Sequence, residues 1–231
     1  MEKEIMHNEK ERIKTYLVIC NIQKNNNVGN MLRGAVAFGF DAVLVVGMNK
    51  INFFGSKGTE RGFLPIIQFR KLPELKEWLK EREVHLCGVE IVKEAVAVNK
   101  HPFRGHTAIM LGNEGSGMNE KQIATCDHFV YIPQYGKGTH SLNVNVAASI
   151  CMHHLSLWAG YDESAREEDR AKFVVEEPDR SIPLERNEVD KEIQLQREEQ
   201  KRDNVIESEN TLSNLSSLYY EEGEEEHEDI L

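Results

Sequence analysis

Three loops of this chain concentrate residues suited to binding and positioning rather than to nucleophilic attack. The first, NNNVGNMLRG, sets Asn27 and Arg33 six residues apart. The second, LGNEGSGM, places Glu114 among glycines, and the third, IPQYGKGTHSLNVN, carries Ser141 and Asn143. An arginine, with a pKa above about 12, is a poor general base, but its planar fork can clamp a phosphate through two parallel hydrogen bonds. A glutamate, a serine and two asparagines add hydrogen-bond acceptors and donors. Glycines remove the Cβ barrier to a close ligand approach.

Loops like these need a frame that brings them to one edge. Thr15–Ile22, Ala42–Val46, His85–Val89, Thr107–Leu111 and His128–Ile132 are apolar, β-branched runs of strand length. Between them lie segments with helical spacing. After a polar loop, Gln23–Asn27, the stretch Val28–Phe40 has Asn27 as its expected N-cap and Gly39 near its end. Pro73 opens the amphipathic PELKEWLKE, and a short helix is expected over Asn119–Thr125. Val144–Leu157 is apolar throughout, with small residues Ala147, Ala148 and Ser149, so it must be buried in the domain or at a dimer contact. The alternation predicts an α/β fold, a mostly parallel sheet with helices on both faces. All three loops follow expected strands, at the carboxyl edge where such sheets bind ligands.

In this order and separation the three segments resemble motifs one, two and three of the SpoU (TrmH-like) branch of knotted RNA 2′-O-ribose methyltransferases. Those motifs read N-hydrophobic-G-x-x-x-R, G-N/A-E-G-x-G, and I-P-x-x-G followed by S-L-N-V, and the likeness spans roughly Leu17 to Leu157. The resemblance implies a C-terminal trefoil knot, S-adenosylmethionine as methyl donor, a homodimer, and RNA as substrate, tRNA ahead of rRNA. It makes Arg33, Asn27, Glu114, Ser141 and Asn143 the catalytic set. Arg33 would clamp an RNA phosphate next to the ribose 2′-hydroxyl, and Glu114 would accept bonds from RNA or orient Arg33. The donor would touch Leu111, Gly112, Asn113, Gly115, Ile132, Pro133, Gly136 and Leu142, its adenine and ribose held mainly by backbone groups of Gly112, Ile132 and Leu142. Two departures stand out: Asn145 follows SLNV where the family often has a second serine, and the third loop is one residue longer around KGTH. The donor pocket is expected to survive them, and substrate choice to differ.

A net charge of −11 argues at first against RNA, whose binding is driven by Lys and Arg releasing phosphate counterions. The average conceals a division. Residues 1–160 carry 19 Lys and Arg against 15 Asp and Glu, a net +4, while residues 161–231 carry 9 against 24, a net −15. The expected organisation is a charged arm (1–14), a methyltransferase domain (15–160) and an acidic, largely disordered tail (161–231). The tail could dock a basic partner or compete with RNA for the basic face. Lys57 and Arg61, with Arg70, are candidate RNA-phosphate contacts, evenly matched against a reading as solvated loop charges. His140, His153 and His154 read as core or surface histidines rather than ligands. Four cysteines without a CxxC pair read as reduced thiols of a cytoplasmic or nuclear protein, and no run of about 18 apolar residues suggests a membrane span.

The glycine loop GNEGSG lacks the early strand, GxGxxG and helix of a dinucleotide-binding unit. A catalytically silent RNA-binding scaffold retaining the knot is the competing reading, and the complete set Asn27, Arg33, Glu114, Ser141 and Asn143 stands against it. A base methyltransferase of another knotted branch is a third, against which the SLNV segment favours ribose chemistry.

Overall fold

A computed structural model describes residues 11–22, 24–47, 64–166 and 172–175, all within the first of two compact units, Met1–Glu185. Its strands are β1 (Thr15–Cys20), β2 (Ala42–Val46), β3 (Ile66–Phe69), β4 (His85–Val89), β5 (Val96–Ala97), β6 (Thr107–Leu111) and β7 (His128–Tyr131). They form one parallel sheet in the order β3-β2-β1-β6-β4-β7-β5. The helices are α1 (Asn25–Ala37), α2 (Leu72–Glu81), α3 (Glu120–Thr125) and α4 (Val144–Ala159), with a 3-10 turn at Val98–Lys100.

Every residue of β1, β2 and β6 is buried, which only a sheet covered on both faces allows. Side chains alternate between those faces. Leu17, Ile19, Val43, Val45 and Ile109 pack with Met31, Leu32 and Ala35 of α1 and with Ala148, Met152 and Leu155 of α4. Tyr16, Val18, Leu44, Ala108 and Met110 pack instead with Leu75 and Leu79 of α2 and Ile123 of α3. The expected α/β architecture is therefore present. From β1 the sheet grows one way through β2 and β3, and the other way through β6, β4 and β7. The order reverses between β1 and β6, and a crevice opens there because the loops after these two strands lead in opposite directions.

Several elements differ from expectation. β1 stops at Cys20, because Asn21 takes a left-handed φ of 60° that no strand continues through. The polar loop is shorter, since α1 already begins at Asn25 with Lys24 as an N-cap that makes no side-chain bond. Asn27 thus lies inside the first turn and is not the cap; its amide is engaged by tertiary bonds instead. Strands β3 and β5, both short and peripheral, carry no apolar run of strand length in the sequence.

The boundaries expected at 14/15 and 160/161 run through one bonded cluster. The Tyr161 hydroxyl donates to Ile13 O at 2.7 Å and lies 2.9 Å from Thr15 Oγ1. Asp41 accepts from Thr15 N at 2.7 Å and pairs with Arg12, whose guanidinium sits 4.2 Å from the centre of the Tyr161 ring. Further along, Val174 N donates to Ala165 O at 2.9 Å, beside an isolated bridge between Arg166 and Phe173. Lys57, Arg61 and the acidic residues beyond 175 lie outside the described residues. Among those described, no helix is long and apolar enough to cross a membrane.

Candidate active site

The crevice between β1 and β6 gathers three side chains that are far apart in the chain. Asn27 is only 7% exposed. Its Nδ2 donates to Glu114 Oε1 at 2.9 Å, and its Oδ1 accepts from Asn143 Nδ2 at 3.3 Å. Glu114 Oε1 also accepts from Lys24 N at 3.1 Å. A carboxylate from another loop therefore stands at the start of α1, where the helix presents unpaired N–H groups and a partial positive charge. Asn143 fills the role expected of Asn27: its Oδ1 accepts from Asn145 N at 2.9 Å and caps α4.

The glycine loop that carries Glu114 is tied to itself. Asn113 and Gly117 exchange backbone bonds of 2.9 and 3.1 Å. Asn113 Oδ1 accepts from Gly115 N at 2.9 Å and Ser116 N at 3.3 Å, while Nδ2 donates to Asn21 O at 2.9 Å. The Asn113 side chain is thus engaged in shaping the loop, although the resemblance assigns it a donor contact. Gly112 lies beneath the closure: a Cβ there would come within 2.4 Å of Gly117 C and 2.5 Å of Met118 N. Backbone cannot yield as a flexible side chain would, so glycine alone fits.

Beside this cluster lies a cleft of about 520 Å³. Leu111, Gly112, Asn113, Gly115, Ile132 and Leu142 line it, as do Glu114 and Ser141. Pro133 and Gly136 belong to the same third loop but lie outside the lining, and a Cβ on Gly136 would meet nothing within 4 Å. Ser141 is exposed, its backbone carbonyl accepting from the Thr139 hydroxyl at 2.8 Å. The lining also holds residues that the sequence does not mark as parts of the cleft, two of them titratable. His140, read as a core or surface residue, is exposed at its wall, and Glu90 stands directly after β4 on the same carboxyl edge. The position after a strand end was the one signal that could have found Glu90.

Arg33 is exposed on α1, about 1.7 turns beyond Asn27. That rotation takes it to another face of the helix, and no hydrogen bond joins it to Glu114 among the described residues. Glu114, expected to accept bonds from RNA or to orient Arg33, holds Asn27 and the helix start.

Among the described residues, the cysteines give no competing nucleophile. Burial pushes the thiols of Cys126 and Cys151 up to about 12 and raises those of Cys20 and Cys87, so all four are protonated near neutrality. His153 and His154 lie outside the cleft lining; His154 Nδ1 is 3.0 Å from His101 Nε2. Burial, then the neighbouring His101 and His153, hold the pKa of His154 below its usual value.

Residues 14–153 match the SpoU rRNA Methylase family. The chain is 31% identical over 159 residues to the 23S rRNA guanosine 2′-O-methyltransferase RlmP of Bacillus subtilis, covering 65% of this chain and 62% of that one. It is 30% identical over 144 residues to the 23S rRNA guanosine 2′-O-methyltransferase RlmB of Coxiella burnetii, covering 60% and 56%. The chain thus spans about three fifths of the length of these curated relatives. Among solved structures, the SpoU methyltransferase AviRb of Streptomyces viridochromogenes superimposes with a TM-score of 0.57 at 24% identity, over 65% of this chain and 61% of that one. A TrmH/SpoU tRNA-modifying enzyme of A. aeolicus gives 0.55 at 21%, over 69% and 84%. At these identities the two solved structures show a shared fold.

Proposed function

Since the chain belongs to the SpoU rRNA Methylase family by its match over residues 14–153, we propose that it transfers a methyl group from S-adenosylmethionine to a ribose 2′-oxygen of a structured RNA. One observation carries the reading: Asn27, Glu114 and Asn143, drawn from all three loops, are hydrogen-bonded together beside the cleft. Two curated relatives that share this region are named for 2′-O-methylation of guanosine.

The residues present fit the donor. A cleft of about 520 Å³ falls within the roughly 300–1,000 Å³ of small-molecule sites. Its apolar Leu111, Ile132 and Leu142 and the loop backbone at Gly112 suit an adenosine carrying a polar tail. Bound there, the donor supplies a methyl carbon activated by a sulfonium. The chain's own task is positioning. Glu114 and Asn143 fix the Asn27 amide, Arg33 clamps an RNA phosphate, and Ser141 and Asn143 orient the 2′-hydroxyl, whose proton leaves to a phosphate oxygen or water. Such preorganisation is a sufficient source of rate where the reacting carbon is already activated.

In this reading tRNA is the first candidate substrate and rRNA the second, and curated relatives named for 23S rRNA and for tRNA/rRNA share the region. The reading includes a trefoil knot formed by the third loop and α4, and a homodimer. Val146 and Leu157, exposed at 44% and 57% on the otherwise apolar α4, offer a second copy an apolar surface. It also has the acidic segment after 160 docking a basic partner, and a reducing compartment such as the cytoplasm, which suits four free cysteines.

The test is transfer of labelled methyl to total tRNA and to rRNA by wild type and Arg33→Ala, followed by digestion and nucleoside identification. A 2′-O-methylated nucleoside that disappears with the variant is the expected result. Tight donor binding without transfer to either RNA would turn the reading toward a silent scaffold.

A further inference from the structure

We propose that Glu90 recognises the ribose of the methyl donor, its carboxylate accepting the two vicinal hydroxyls while it also holds the turn that closes the glycine loop. The inference rests on the methyl-transfer reading above.

Glu90 lines the cleft at the carboxyl end of β4, which lies between β6 and β7. It therefore stands between Gly112, which follows β6, and Ile132, which follows β7, the two places where the adenosine is expected to be held. The strand order also fixes which end of the donor comes near it. Asn27 follows β1 and Glu114 follows β6, so the reacting end faces the β1 side and the adenosine extends toward β4 and β7.

The carboxylate is held in place and keeps acceptor capacity. Oε2 accepts from Met118 N at 2.9 Å, and Oε1 accepts from Ile91 N at 3.0 Å. An ionised carboxylate offers about four lone-pair sites, so about two remain, matching the two O–H donors of a vicinal diol. Gly117, with φ +69°, passes so close that a Cβ there would lie 2.7 Å from Oε2. Glu90 is half-buried, and its main chain is fixed by a bond from its N–H to Val130 O at 3.0 Å. A rigid acceptor rejects a ligand lacking the hydroxyls, because bonds to charged groups are among the stronger ones.

The experiment measures binding of S-adenosylhomocysteine and of its 2′,3′-dideoxyribose counterpart to the full chain by calorimetry. Neither ligand carries a sulfonium, so a response to that charge cannot be mistaken for ribose recognition. Wild type should prefer the hydroxylated ligand by at least about tenfold. Glu90→Gln, which turns one acceptor oxygen into a donor, should lose that preference by weakening the hydroxylated ligand alone. Equal weakening of both ligands would assign Glu90 to loop shape only and overturn the proposal. Should Glu90→Gln not fold, the wild-type comparison decides by itself, since equal affinities overturn the proposal. If wild type binds neither ligand, the methyl-transfer reading falls and takes this inference with it. Binding without ribose discrimination overturns the inference alone.

Discussion

Asn27 and Arg33 leave the same helix with opposite relations to the fold. Asn27 is buried and bonded on both amide atoms, so Asn27→Ala removes one hydrogen bond from the Glu114 carboxylate and one from the Asn143 amide. It should cost about 1–3 kcal/mol, read as a lower thermal midpoint, together with lost methyl transfer. Arg33 is exposed. Arg33→Ala should leave stability within about 0.5 kcal/mol of wild type and reduce transfer by roughly a hundredfold. A matching fall in stability and activity for Arg33→Ala would remove its role at the substrate. The types of both residues were legible in the sequence, but their partners were not, because bonds across 87 and 116 positions depend on strand order. Asn27 was read as a cap since asparagine at a helix start normally satisfies an orphan N–H. Here a glutamate from another loop does so.

Strands β2, β4 and β6 were readable to the residue, since a parallel strand buried on both faces is a continuous apolar run ended by turn residues. Strands β3 and β5, four and two residues long, are too short to carry such a pattern. Glu90 is illegible for a related reason: a glutamate after a strand reads as a solvated charge until the order β6-β4-β7 puts it inside a cleft. The glycine loop itself is testable. Gly112→Ala forces backbone against backbone and should destabilise by about 1–3 kcal/mol while weakening donor binding. Gly136→Ala, with open space around it, should do neither, and calorimetric titration of both variants checks the contrast. The packing of α4 on the 3-10 turn adds a pH dependence through His154, whose Nδ1 lies 3.0 Å from His101 Nε2. Burial lowers the pKa of His154, and burial with the Arg104 and His85 charges lowers that of His128. In both, the unfolded chain binds the proton more readily, so stability is full above about 6.5 and falls as pH drops below it. Thermal midpoints should decline between pH 7.5 and 5.5, and His154→Gln should flatten part of that slope.

Across the whole molecule, the Tyr161 cluster joins the segment before β1 to the one after α4. Its phenol donates to Ile13 O and lies beside Asp41, and burial, more than the Asp41 charge, pushes its pKa up to about 12. Any shortened chain meant to test the acidic segment must therefore keep Tyr161, or instability will be mistaken for an effect on RNA. Ending the chain after Val175 keeps it. Residues 176–231 carry 6 Lys and Arg against 19 Asp and Glu, a net −13, so their removal takes the charge from −11 to +2. Electrostatic repulsion of phosphate should fall accordingly, and the shortened chain should bind RNA more tightly and faster at low ionic strength. The gain should shrink toward nothing as salt approaches about 1 M, where the Debye length is about 3 Å. Titration of labelled tRNA at several salt concentrations, full chain against the chain ending at Val175, measures it. An unchanged affinity at low salt would show that the acidic residues lie electrostatically apart from the RNA-binding face, and would leave docking of a basic partner as their remaining role.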